Sequence, residues 1–270
     1  MAKTTRPQIL LTNDDGIQSP GLWAAAASLA AVGRVTVAAP AEQSSGMGRS
    51  LPSTSSGIIH EQKLRVNGQE WVVYAVAGSP AQAIQHAVLE IMPKKPDLVV
   101  SGINYGENVG LGTTISGTVG AAMEGAANGI PSLAISLEAA QEYHLSYSNE
   151  VDFDVAAHFA AYFGRLLLKK QMPADVDLLK VDVPSSATPE TEWVITRVAR
   201  QGYYEPLRPQ RTSWSVEGKP GYKEAAILDG EDEDSDVVVL RKHHKIAVTP
   251  ISLDMTSRTD LSSLERLLRK

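Results

Sequence analysis

Ile9-Leu10-Leu11 is an unbroken apolar run that gives way within two residues to Asn13-Asp14-Asp15-Gly16. A run without polar alternation reads as a strand buried on both faces, the form strands take in the parallel sheets of α/β proteins. Such a strand leaves few choices of fold. Its carboxyl end is the edge where open α/β sheets bind ligands, so both carboxylates would project there. Neighbouring like charges repel unless a cation or hydrogen-bond donors compensate, and hard oxygen ligands suit a divalent metal. An exposed Asn-Asp-Asp-Gly turn is the second reading, because these residues also favour turns. The segment alone fits both.

Downstream, apolar runs alternate with helical segments. Ser19-Pro20-Gly21 leads into an alanine-rich helix over 22–31, and a strand over 34–39 completes a β-α-β unit. Residues 41–57, rich in Ser and Gly, read as a mobile loop over the carboxyl end of the sheet. A hairpin around Gly68 is expected over 66–76, and Ser79-Pro80-Ala81 starts a helix that runs to about residue 91. Strands at 97–102, 132–137 and 178–183 and helices at 117–128 and 153–170 continue the pattern. Beyond Pro184 the character changes. Strand-like runs at 193–198 and 237–240 flank a stretch rich in Pro, Gly and Tyr and an acidic cluster at 229–236, of which 231–234 reads as a solvated loop. A strand at 246–248 and a small amphipathic helix at 261–268 close the chain.

Composition narrows the function classes. With 270 residues, 43% of them hydrophobic, the chain can bury a sizeable core. A net charge of −6 without a basic block argues against a nucleic-acid polymer as partner, so an anionic small substrate would need a local metal or amide cradle. The chain has no cysteine, which excludes disulfides, zinc thiolate sites and cysteine nucleophiles. No apolar segment reaches membrane-spanning length and no leader is visible, so no membrane partner is expected and the cytoplasm is the expected location. The six histidines lack metal-ligand spacing, and His243-His244, set among Arg241, Lys242 and Lys245, reads as a solvated turn. Neither a Gly-x-Ser-x-Gly elbow nor a Walker motif is present.

Three polar strand ends remain: Asp14 and Asp15 after the first strand, Ser44 and Ser45 after the second, and Asn104 after Ser101-Gly102-Ile103. A parallel sheet would bring them to one edge. Carboxylate, hydroxyl and amide oxygens suit Mg²⁺ or Mn²⁺, although the serines also fit loop solvation, and Asn104 and Asn108 also fit left-handed turns. Ser116-Gly117-Thr118 supplies a hydroxyl cap, a glycine and free N–H groups at a helix start. That is a phosphate cradle, or a simple helix cap.

With these residues in view, the chain resembles the SurE family of stationary-phase survival proteins and 5′-nucleotidases. Five segments carry the resemblance in order: Leu11-Thr12-Asn13-Asp14-Asp15-Gly16-Ile17 with Pro20-Gly21; Ala39-Pro40 with Ser45-Gly46; Gly78-Ser79-Pro80-Ala81; Ser101-Gly102-Ile103-Asn104 with Gly106 and Asn108; and Ser116-Gly117-Thr118 running on to Gly125. It covers roughly the first 140 residues, with weaker echoes at 179–184 and 248–251.

The resemblance implies a Rossmann-like α/β core over 1–184, a mostly parallel sheet flanked by helices. A β-rich extension over 185–250 would serve oligomerisation and complete the substrate site, and a helical tail over 251–270 would pack on the core or on a partner subunit. Homodimers or homotetramers with exchanged C-terminal segments would follow. The implied activity is a divalent-metal-dependent 5′-nucleotidase of acid-phosphatase type, acting on nucleoside 5′- and 3′-monophosphates and sometimes on short polyphosphate. One Mg²⁺ or Mn²⁺ per subunit would be held by Asp14, Asp15, Ser45 and Asn104. Asn13, Asn108, Ser116, Gly117 and Thr118 would line the phosphate and substrate site, with Asp14 or Asp15 as ligand, base or nucleophile. Three departures stand out: Gln82 where aspartate is common, Ile115 in place of a frequent tyrosine, and Asp182 where asparagine is usual. A non-catalytic nucleotide-binding regulator and a metal-dependent transferase are the rival expectations.

Overall fold

Ile9 and Leu11 face one side of the sheet and Leu10 the other, and all three are fully buried, as the unbroken apolar run requires. A computed structural model describes residues 6–269 apart from 67 and 145. Residues 1–5 and 270, at the ends of the expected core and tail, and residue 67 of the expected hairpin turn lie outside the described residues. The elements run β1 (Gln8–Thr12), α1 (Pro20–Leu29), β2 (Arg34–Pro40), β3 (Ile59–Val66), β4 (Gln69–Val76), α2 (Pro80–His86), β5 (Leu98–Tyr105), α3 (Gly117–Ala127), β6 (Ser132–Leu137) and α4 (Asp154–Lys169). They continue with β7 (Leu178–Val183), β8 (Trp193–Ile195), β9 (Tyr204–Leu207), β10 (Gly221–Glu224), α5 (Asp236–Arg241), β11 (Ile246–Ile251) and α6 (Leu261–Leu268).

Nine strands form one sheet in the order β3-β4-β2-β1-β5-β6-β7-β11-β8. From β4 through β2, β1, β5 and β6 to β7 all neighbours are parallel, and β3 and β11 pair antiparallel. Helices α1 and α4 pack together on one face, α2 and α3 on the other. The result is a three-layer α/β fold, as the sequence predicts. The chain leaves β1 toward β2 and later returns to β5 on the opposite flank, so the crevice between β1 and β5 is the topological switch point. Asp14 and Asp15 leave one side of it and Asn104 the other.

Small residues let this edge close. A Cβ on Gly120 of α3 would lie 2.2 Å from the Gly48 backbone, so only glycine admits the 41–57 loop this closely. The departure at Gln82 also has a structural account. Its side chain completes a capping box with Ser79 and donates to the Pro52 carbonyl at 2.9 Å, a bond that an aspartate carboxylate could not make.

Beyond Pro184 the β-rich extension divides between the main sheet and a separate hairpin. Strands β8 and β11 join the main sheet, with β11 antiparallel to β7, and only β9 and β10 form a separate two-stranded hairpin. The run 237–240, expected as a strand, is instead part of helix α5. Ser235 caps it by accepting the Val238 N–H at 3.3 Å, and Val237, Val238, Val239 and Leu240 are all buried. An apolar run of four has no period to separate helix from strand, so the cap and burial decide.

Candidate active site at the switch point

Asp14 is buried at the end of β1, with its carboxylate against the first turn of α3. A Cβ on Gly117 would lie 2.7 Å from Asp14 Cβ and 2.8 Å from Oδ2, which is why a glycine begins this helix. The Thr118 hydroxyl donates to Asp14 Oδ1. Burial pushes the Asp14 carboxyl up; the Thr118 hydroxyl and the N–H groups of Gly117 and Thr118 pull it the other way. The helix start that reads as a phosphate cradle thus also cradles Asp14. Ser116 caps the helix by accepting the Val119 N–H at 3.1 Å.

Asp15 is pushed well above the usual carboxylate range, first by burial and then by the neighbouring Asp14 charge. The Tyr105 N–H donates to its Oδ2 at 3.3 Å and Gln43 Nε2 to its Oδ1 at 3.4 Å. The Tyr147 hydroxyl holds its main-chain carbonyl at 2.9 Å. Asn13 is turned inward: its side-chain amide donates to the Gly16 carbonyl at 3.1 Å and accepts the Gly16 N–H at 3.2 Å. These bonds shape the loop that presents both aspartates.

Asn104 lies across the crevice. Its Nδ2 donates to the carbonyls of Tyr105 and Gly106 at 3.2 and 2.6 Å, which leaves Oδ1 without a donor among the described residues. Asn108 donates its N–H to Asp182 Oδ1 at 2.7 Å and its Nδ2 to the Ser136 hydroxyl at 2.8 Å. Asp182, the third departure, is paired with Lys180 at 2.5 Å, and Lys180 reaches Asp236 at 3.0 Å. All three side chains are fully buried. The two aspartates outweigh burial and hold the proton on Lys180.

Ser45 is exposed on the loop that follows β2. That loop, expected to be mobile, is tied down along its length. The Ser44 N–H donates to the Asp14 carbonyl at 2.7 Å, the Gly48 N–H to the Ile115 carbonyl at 2.9 Å, and the Ser79 hydroxyl to the Ser50 carbonyl at 2.6 Å. Arg49 Nε donates to Glu124 Oε2 of α3 at 2.8 Å. Sequence reasoning singled out neither member of that pair, nor Gln43 or Tyr147. Gln43 stands two residues before Ser45, a local signal; the others meet the site only through the fold.

Two carboxylates, an amide oxygen and a nearby hydroxyl make an all-oxygen donor set. No cationic side chain is among the groups acting on either aspartate, and no group of three or more His, Cys, Asp or Glu placed to hold a metal ion by themselves occurs among the described residues. Such a set fits a hard divalent cation that keeps positions open for water and substrate.

A family model described as Survival protein SurE matches residues 9–205 of the chain. The chain belongs to the SurE family. A relative described as 5′-nucleotidase SurE from Methanococcoides burtonii is 38% identical over 267 residues, covering 97% of this chain and 99% of the relative. One of the same description from Thermococcus gammatolerans is 40% identical over 262 residues, with 97% and 96% covered. Among solved structures, the SurE protein from Aquifex aeolicus superposes with a TM-score of 0.73 at 32% identity, covering 97% of this chain and 100% of that one. The SurE resemblance of the first 140 residues therefore extends over nearly the whole chain, including the segment beyond Pro184.

Proposed function

We propose that this SurE-family chain is a divalent-metal-dependent phosphomonoesterase that releases phosphate from nucleoside 5′-monophosphates, with 3′-monophosphates and short polyphosphate as further substrates. One observation carries the reading: two buried carboxylates without a cationic partner among the described residues end β1 at the switch point of a parallel sheet, and Asn104, which ends its neighbour β5, keeps an amide oxygen without a donor among those residues. The relatives' shared description as 5′-nucleotidases supports the substrate class. Asp14, Asp15, Asn104 and Ser45 would hold one Mg²⁺ or Mn²⁺, which when bound supplies Lewis-acid polarisation and an acidified water. Ser116, Gly117 and Thr118 put helix N–H groups beside Asp14, where they favour the negative charge of a transferring phosphoryl group. Asn108, held by Asp182 and Ser136, and Asn13, which keeps the aspartate loop in shape, would line the same phosphate and substrate site.

The same reading takes the active protein to be a homodimer or homotetramer with exchanged C-terminal segments, located in the cytoplasm. Every described residue of α6 is exposed in the single chain, including Leu261, Leu264, Leu267 and Leu268, so its apolar face has no core of its own. No helix among the described residues is long and apolar enough to cross a membrane.

The test is to strip the protein of metal, add AMP, GMP or a chromogenic phosphate ester, and restore Mn²⁺ or Mg²⁺. Metal-restored release of free phosphate is expected. Nucleotide binding without release would mark a regulator instead, and transfer to an acceptor without stoichiometric phosphate would mark a transferase.

A further inference from the structure

Each oxygen of the buried Asp15 carboxylate meets one donor. The Tyr105 N–H, fixed in β5, reaches Oδ2 at 3.3 Å, and Gln43 Nε2 reaches Oδ1 at 3.4 Å. Gln43 is the only side chain that donates to this carboxylate among the described residues. Asp14 has its side-chain donor in Thr118, built into the first turn of α3, whereas Gln43 stands on the loop after β2. A long side chain on a loop keeps one orientation only where a second contact fixes it, because its rotamer freedom is otherwise large. That contact is the His144 carbonyl, which accepts from Nε2 at 2.8 Å. Both neighbours of Nε2 are acceptors, so the amide must present its NH₂ there; turned over, Oε1 would face a carbonyl and a carboxylate.

His144 is itself held by the hairpin of β9 and β10. Its Nε2 lies 2.9 Å from the Ala139 carbonyl and its Nδ1 3.2 Å from the Tyr222 hydroxyl of β10. A carbonyl only accepts, so Nε2 carries the proton and Nδ1 accepts from Tyr222. Burial above all lowers the pKa of the ring, which keeps it in this neutral form. The Tyr222 ring lies nearly parallel to it, 6.2 Å between centroids, and the Tyr204 ring of β9 meets it edge to face at 5.9 Å. The Gln141 amide adds a 2.8 Å bond to the Tyr222 carbonyl. The imidazole also presses on Gly106, where a Cβ would lie 2.6 Å from Nε2. The hairpin outside the main sheet thus grips the residue whose carbonyl anchors Gln43.

We infer that Gln43 is the positioning residue of Asp15 and that it takes its orientation from His144, which the hairpin of β9 and β10 clamps. The inference rests on Asp15 being a metal ligand, as in the reading above. Gln43 touches neither substrate nor reacting atoms; it acts through the Asp15 carboxylate. A carboxylate that ligates a metal is itself held by hydrogen bonds, and losing such an outer partner costs about 10–100-fold in metal affinity or activity. The hairpin then has a part in the site although none of its side chains is bonded to Asp15.

The test follows Mn²⁺ binding to the metal-free full chain by calorimetry, without substrate, for wild type, Gln43→Met, His144→Ala, their double variant and Asp15→Asn. Methionine keeps the length of glutamine and removes the donor. Gln43→Met should raise the Kd for Mn²⁺ about tenfold and move the Mn²⁺ midpoint of AMP hydrolysis by the same factor. The thermal melt of the metal-free protein and the KM for AMP at saturating Mn²⁺ should stay close to wild type. A lowered melt or a raised KM beside the weaker binding marks a loosened loop and overturns the inference. His144→Ala should also weaken Mn²⁺ binding, and the double variant should lose less than the product of the two single losses, because the residues act in series. A Gln43→Met Kd within about twofold of wild type overturns the inference, as do single losses that multiply in the double variant. Asp15→Asn separates this failure from that of the underlying reading. If it abolishes Mn²⁺ binding while Gln43→Met leaves binding unchanged, the positioning role fails alone. If wild type binds no Mn²⁺, or Asp15→Asn binds it as tightly as wild type, the metal reading fails and takes the inference with it.

Discussion

At the scale of single residues, the aspartate pair illustrates how chemistry precedes structure. Asp14 and Asp15 read in the sequence as a metal pair or as an exposed turn, and their burial removes the exposed turn, which would leave both carboxylates in water. Asp14→Asn and Asp15→Asn keep size and shape and remove the charge a cation needs. Phosphate release should fall by more than the about 10–100-fold that outer partners of a metal site are worth, while the thermal melt of the metal-free protein stays close to wild type. Glu107 carried no sequence signal. It is buried beside Tyr203 and Tyr204, with Glu138 and Asp182 nearby, and its Oε2 has no partner among the described residues. Burial, above all, pushes its carboxyl from 4.5 up to about 7. The folded protein therefore holds this proton more tightly than the unfolded chain does. The linked stability is full below pH 4.5, declines as pH rises to about 7, and is flat above that. Glu107→Gln is neutral at every pH and should match wild type in acid yet exceed it by on the order of 3 kcal/mol at pH 8. Urea denaturation at pH 4.5 and pH 8 measures this difference, and equal gains at both would remove Glu107 as the cause.

At the scale of elements, strands and caps were legible and short apolar runs were not. Ile9-Leu10-Leu11 could only be a strand covered on both faces, and Ser116 and Ser79 announced the helices they cap. Helix α5 escaped notice because its four apolar residues lack a period, and what holds it is distant in the chain. Asp236, at its first turn, accepts the N–H groups of Ala199 at 2.9 Å and Gly110 at 3.2 Å and the Lys180 ammonium at 3.0 Å. This buried cluster ties β7, α5 and the loop bearing Asn108 together. Lys180→Met would leave two buried aspartates without their cation and should destabilise the fold by about 3–5 kcal/mol in urea denaturation. Adding Asp182→Asn to that variant should recover part of the loss, because one of the stranded charges is gone.

At the scale of the whole molecule, the tail stands apart from the core it follows. The chain between β11 and α6 is mostly exposed, and α6 itself buries nothing in its own subunit. If α6 packs on a partner, deleting residues 254–270 should lower the mass seen by light scattering while the thermal melt of the remaining fold changes little. An unchanged mass would count against exchange of the tail. The hairpin of β9 and β10 is the other element outside the main sheet, and it meets the site's surroundings through Tyr204 and Tyr222, which flank His144.

The sequence by itself determined the layered α/β class, the parallel strands and the identity of Asp14, Asp15, Ser45 and Asn104 as candidate ligands. Those features are written in local pattern: unbroken apolar runs, capping residues, and polar groups placed directly at strand ends. Only the tertiary structure decided that Asp14 rests on the start of α3, that Gln43, Tyr147 and Arg49 hold the surroundings, and that Lys180 neutralises Asp182 and Asp236. Apart from Lys180 and Asp182, two positions apart on one strand, each of these joins residues far apart in the chain, and burial is what gives the contact its consequence. A carboxylate in a turn and a carboxylate at a buried switch point share one sequence; only packing removes the water that would make them equivalent.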